Sequence, residues 1–184
     1  MEGNHRFMRG VLEPHPVVGL RKRLAEGQHP KVGILACADS RVAPEIVFDK
    51  NLGDLFVVRV AGNVAEPLGV ASLEYGVEHL GVKLLLVIGH ESCGAVAAAA
   101  SGEPMPTKNL TALVAAIRPA IESVPKGGTP AEVSLRQVEA NVRATARTLL
   151  EMSSVFRHEV DDKKLTILRG VYHLESGEVT RFAD

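Results

Sequence analysis

At 184 residues, 46% of them hydrophobic and with a formal net charge of -1, the chain is long enough for one domain with its own core and carries no basic footprint for nucleic acid. Aromatic residues make up only 4% and Trp is absent, which argues against a base-stacking surface. No apolar run approaches the ~20 residues that cross a bilayer, the polar start lacks the apolar core of a signal peptide, and two cysteines make no disulfide framework, so a cytoplasmic setting is expected.

Residues 1–31 are polar and interrupted by Pro14, Pro16 and Pro30. With one helical piece at 18–26, they read as an arm or covering layer and not as sheet. Residues 32–37 form the first apolar run, a buried strand. Pro44 then opens a short helix over 44–48. Residues 55–60 are a second strand, closed by the turn signal Ala61, Gly62, Asn63. Over 67–80 the apolar positions Val70, Leu73, Val77 and Leu80 recur at helical spacing, and Gly81 is placed to end that helix. Residues 84–88 are apolar throughout, as in a central parallel strand covered on both faces. Residues 93–100 are Ala-rich and helical. Two more helices are predicted at 109–124 and 130–152, the second with Val138, Val142, Thr145 and Leu149 on one face. Residues 165–172 return to strand chemistry, and a turn over 175–178 leads into a last short strand at 179–182.

This order predicts an α/β fold: a mainly parallel central sheet flanked by helices, with a C-terminal strand pair at its edge. No linker divides the chain, so 1–184 is expected to be one domain. Within it, 1–31 is the N-terminal arm, 32–101 the core sheet and metal site, and 102–184 the C-terminal helices and strands. Such sheets place their sites beyond the carboxyl ends of strands, where connections diverge.

Metal-capable residues sit at two such ends. Cys37 ends the first strand and is followed by Asp39 and Arg41; His90 and Cys93 follow the third. A short His/Cys pair is a weak signal, and a lone Cys is more often a small buried hydrophobe. The joint pattern is far more specific, because both cysteines of the chain end apolar strands beside a second metal-capable residue. Soft thiolate with imidazole favours zinc. Asp39 is a hard carboxylate that can be a fourth ligand or can be held away by Arg41 as an ion pair. A closed structural zinc site and a thiol redox pair are the competing readings.

At these residues the chain resembles the beta class of carbonic anhydrases. That signature is Cys-x-Asp-x-Arg followed by His-x-x-Cys, here Cys37, Asp39, Arg41, His90 and Cys93. The likeness extends to Gly27 to Pro30, Arg41 to Glu45, Gly53 to Arg59, Ala61 to Asn63, Ala71 to Gly76 and Gly170 to Tyr172. It implies one Zn²⁺ per chain on Cys37, His90 and Cys93, with Asp39 or solvent in the fourth place. Asp39 and Arg41 would be the catalytic pair for reversible hydration of CO2 to bicarbonate by zinc-hydroxide attack. It also implies a substrate pocket of Gln28, Phe56 and Tyr75, with the Gly94 amide near the bound anion, at the interface of a homodimer or homotetramer. Residues 1–7 are all that matches the longer helical arm with which family members embrace a partner. A CS2 or COS hydrolase on the same site, or a non-catalytic zinc- or bicarbonate-binding protein, are the alternatives; neither a nucleic acid nor a membrane is an expected partner.

Overall fold

Three apolar runs rich in Val, Leu and Ile become the inner strands of one sheet. The computed structural model describes residues 1–182. The strands are β1 (Val32–Ala36), β2 (Leu55–Arg59), β3 (Leu84–His90), β4 (Thr166–Tyr172) and β5 (Val179–Phe182). They lie in the order β2-β1-β3-β4-β5. The first four are parallel, and β5 runs antiparallel to β4. The helices are α1 (Glu2–Met8), α2 (Val17–Leu24), α3 (Pro44–Val47), α4 (Pro67–Leu80), α5 (Gly94–Ser101), α6 (Lys108–Ile121), α7 (Pro130–Met152) and α8 (Ser154–Asp161), with a 3-10 turn at Ala61–Asn63. The α/β architecture and the C-terminal strand pair are those the residue pattern predicts.

Local signals set the helix ends. The Glu66 carboxylate caps α4 by accepting from the Leu68 and Gly69 amides, and Gly81 ends it at φ 74°, a left-handed conformation that costs glycine least. Thr129 and Glu132 form a reciprocal capping box at the start of α7. The predicted inner face of α7 is indeed buried at Val138, Val142, Thr145 and Leu149. One helix was not anticipated. Ser153 closes α7 and at once caps α8, accepting from the Phe156 amide at 3.1 Å, while Phe156 is fully buried. Phe156, with Val155 and Val160 packed beside it against the same core, makes α8 a core element.

The two sheet faces differ. Leu35, Leu85 and Val87 pack against Leu73 and Val77 of α4, Val142 and Leu149 of α7 and Phe156 of α8. The opposite face, carrying Ile34, Leu86, Ile88 and Tyr172, meets Phe7 of α1, Val42, Val47 and Phe48 in and around α3, and Leu174. Its cover is thin. From β1 the chain passes through α3 to β2 on one side; from β2 it passes through α4 to β3 on the other. The connections after β1 and β3 therefore diverge, leaving a crevice at their carboxyl ends.

Candidate metal centre

Cys37 is the first residue beyond β1, His90 the last of β3, and Cys93 the N-cap of α5. Strands β1 and β3 are direct neighbours, with Ala36 opposite Ile88, so the register alone brings these residues to one place. All three are buried, and their donor atoms lie within 4.8 Å of one another. The Cys37 and Cys93 Sγ atoms are 4.0 Å apart. A disulfide needs about 2.05 Å, whereas two thiolates on one tetrahedral zinc at ~2.3 Å each stand ~3.8 Å apart.

The imidazole is aimed. His90 Nδ1 lies 2.8 Å from the Glu91 carbonyl oxygen, which accepts its proton and leaves Nε2 as the free lone pair. Nε2 is buried with no hydrogen-bond partner. An orphaned buried nitrogen is costly unless something occupies its lone pair, and here it faces two sulfurs. This soft donor set, gathered around one point, fits zinc.

The electrostatics agree. The Cys93 thiol above all, against the opposing effect of burial, and then the neighbouring His90 ring and the Asp39 and Gly62 amides pull the Cys37 thiol well below its ordinary range. Gly62 donates its amide to Cys37 Sγ at 3.3 Å. Its φ of 67° and the Ile117 side chain 2.6 Å from where a Cβ would stand leave room only for glycine there. Cys93 is pushed up by the proton it shares with Cys37 and by burial, against the Val96 and Ala95 amides at the start of α5. A cation that displaces the shared proton leaves both sulfurs as thiolates. Burial is the largest single influence on His90 and works to lower it, yet the Cys37 thiolate and the Glu91 carbonyl raise it overall.

Asp39 stands outside this cluster. Its Oδ1 accepts from the Arg41 amide and from Nε, both at 2.9 Å, and its Oδ2 accepts from Nη2 at 2.7 Å. This two-pronged pairing holds Asp39 well below the usual carboxylate range. Oδ2 remains 3.8 Å from His90 Nε2, so Asp39 borders the site without entering the donor set.

Gly94, the first residue of α5, is exposed beside Cys93. The other expected pocket residues are elsewhere. Phe56 lies opposite Gly33 near the start of β2, roughly 13 Å along the strands from Cys37 at ~3.3 Å per residue, and packs on Gly76. Gln28 precedes β1 on an exposed loop beside Gly53. Tyr75 is 51% exposed and its ring rests on His79. Within one chain, Gln28 and Phe56 sit toward the amino end of the sheet, away from the donors.

Two supporting residues escaped the sequence reading. Arg59 donates Nε to the Cys37 carbonyl at 3.1 Å and Nη2 to the Asp39 carbonyl at 2.5 Å, clamping the loop that carries both. The available signal was its place at the end of a strand next to β1, where it pairs with Ala36. Buried Asn141 of α7 donates to the Gly62 carbonyl at 2.7 Å, fixing the turn whose amide meets Cys37; nothing local marks it.

Fold and donors together define an α/β zinc protein with its site at the switch point of a parallel sheet. Known proteins agree. The family model described as carbonic anhydrase matches residues 32–179. Carbonic anhydrase 2 of Mycobacterium tuberculosis is 38% identical over 180 residues, covering 96% of this chain and 86% of that protein. Carbonic anhydrase of Mycolicibacterium smegmatis is 38% identical over 186 residues, covering 97% and 87%. Among solved structures, the Coccomyxa beta-carbonic anhydrase in complex with acetazolamide superposes with a TM-score of 0.81 at 28% identity, covering 89% of this chain and 76% of that one. The chain belongs to the carbonic anhydrase family, in its beta class, and so to the zinc enzymes that catalyse the reversible hydration of CO2. No helix among the described residues is long and apolar enough to cross a membrane.

Proposed function

We propose that Cys37, His90 and Cys93 hold one Zn²⁺ per chain and that the residues around them direct it to CO2 + H2O ⇌ HCO3⁻ + H⁺. The observation that carries this reading is the buried, unpartnered His90 Nε2 facing two sulfurs 4.0 Å apart. When bound there, zinc supplies a Lewis acid that makes water a nucleophile near neutral pH.

The chain's own groups do the rest. Arg41 keeps Asp39 ionised and fixed in direction, so its Oδ2 can accept a hydrogen bond from the attacking water and turn that water's lone pair toward CO2. With Arg41 donating to both of its oxygens, Asp39 would serve as a hydrogen-bond acceptor beside the metal, and solvent would take the fourth place. The Gly94 amide, at the positive end of α5, meets the bicarbonate anion as it forms.

Gln28, Phe56 and Tyr75 act in the pocket of a neighbouring chain: Gln28 donates to the forming bicarbonate, and the two rings supply the apolar wall that an uncharged gas requires. Three features support a homodimer or homotetramer. Two of these residues lie far from the donors of their own chain, β2 is an edge strand paired only with β1 among the described residues, and a cavity of about 420 Å³ floored by Val32, Leu55, Leu84 and Leu168 remains beside α1. The need for both cysteines as free thiolates supports a reducing, cytoplasmic setting.

Zinc content measured together with stopped-flow hydration of CO2, with CS2 as the parallel substrate, tests the reading. About one zinc per chain and fast CO2 turnover are expected. Zinc-loaded protein that hydrates CO2 no faster than buffer, or that acts on CS2 alone, overturns it. Mixing Cys37→Ser chains with Gln28→Ala chains should restore activity beyond the sum of the two, because each mixed dimer has one complete site; strict additivity would refute the shared pocket.

A further inference from the structure

Glu91 uses every polar group it has to tie the zinc-side histidine to the β4–β5 hairpin. Its amide donates to the Tyr172 carbonyl at 3.0 Å, extending the β3–β4 ladder one residue past His90. Its carbonyl accepts from His90 Nδ1 at 2.8 Å, which selects the tautomer with a free Nε2. One carboxylate oxygen accepts from His173 Nδ1 at 2.7 Å, and the other from the Leu174 amide at 3.1 Å. His173 is braced in turn: its Nε2 meets Thr180 Oγ1 at 2.8 Å, and its amide donates to the Glu178 carbonyl at 2.8 Å.

The need for such bracing lies one residue on. Ser92 has φ 52°, a left-handed conformation unfavourable for a residue with a side chain. That turn swings Cys93 back toward His90. A strained two-residue link between two ligands relaxes unless its ends are fixed, and the carboxylate of Glu91 is the group that fixes this end to the hairpin.

From this geometry we propose that Glu91 and His173 are positioning residues for the metal: the hairpin holds Glu91, and Glu91 holds His90 and the Glu91–Ser92 turn in the zinc-binding arrangement. The proposal rests on the zinc site assigned above. Neither residue touches substrate, and both act through His90.

The test is zinc release to a chromogenic chelator from zinc-loaded wild type, Glu91→Ala, His173→Leu and His173→Asn, with the absorption spectrum of each Co²⁺-substituted protein. Glu91→Ala and His173→Leu should release zinc at least about tenfold faster, the usual scale for losing a group behind a metal-bound histidine, with a shifted Co²⁺ spectrum. His173→Asn keeps a donor toward Glu91 and should return to within a few fold of wild type. Equal release rates and unchanged spectra in all four, even with lowered melting temperatures, would overturn the proposal by making the network merely structural. Zinc release is read without CO2, so an inactive wild type that still shows this ordering would sink the reaction assigned above while supporting the clamp.

Discussion

Buried polar groups gather around α1 and around the carboxyl ends of β1 and β3, and the two clusters are finished differently. Around α1, every buried polar group is answered. Asn4, fully buried, donates to the Val47 and Gly177 carbonyls at 3.2 and 2.8 Å and accepts from the Val179 amide at 2.9 Å. Asp49 is met by Arg6, by His15 Nε2 at 2.9 Å and by the Glu13 amide at 3.2 Å. At the carboxyl ends of β1 and β3, a buried nitrogen is left open beside two sulfurs. A fully satisfied network fixes a structure; an open nitrogen that faces two thiols is suited to share a metal with them. The first cluster seats the arm on its own chain, and the second is suited to hold a metal.

Substitutions should separate the two. The largest effect is expected from Cys37→Ser or His90→Ala, which should abolish zinc retention and lower CO2 hydration by about 10³-fold or more, while the melting temperature of the metal-free protein stays within a few degrees. An apoprotein that fails to fold would erase the distinction, making the centre a structural one. Asp39→Asn comes next: zinc content should remain near wild type while kcat/KM falls about 10²-fold, the scale for losing one preorganised group. Loss of zinc with it would show that Asp39 is a ligand. Asn4→Ala should do the reverse of both, costing about 2–3 kcal/mol of folding stability by denaturant titration, since it leaves buried backbone groups unanswered, with kcat/KM of the folded fraction unchanged.

The smallest effect sharpens the picture through pH. Burial is the largest single influence on Asp49 and raises it, but the Arg6 hydrogen bond, the Glu13 amide and His15 outweigh burial and leave it depressed. A carboxylate depressed in the folded state contributes stability fully present above its unfolded value, about pH 4, and lost as pH falls through the folded value. Wild type should therefore lose stability relative to Asp49→Asn only on acidification below about pH 4. A difference between them that does not change across that range would refute the pairing.

How far the sequence reached follows the same division. Strand ends, the His90-x-x-Cys93 spacing and the Asp39–Arg41 pair are local, and local chemistry is legible. The partners of Asn4 lie as far as 175 residues away, and those of Glu91 lie 82 and 83 residues away. No spacing rule joins such groups. Arg59 reads simply as the charged end of a strand until strand order places β2 against β1.

The sequence by itself determined the strands and all the longer helices, the candidate donors and the class of chemistry, because apolar periodicity and soft ligands at strand ends act over a few residues. Only the tertiary structure decided that β1 and β3 lie side by side, that Arg41 takes both oxygens of Asp39, and that Gln28 and Phe56 stand away from the donors of their own chain. Strand order and side-chain direction are set by packing between distant segments, and that packing exists only once the sheet has closed around its core.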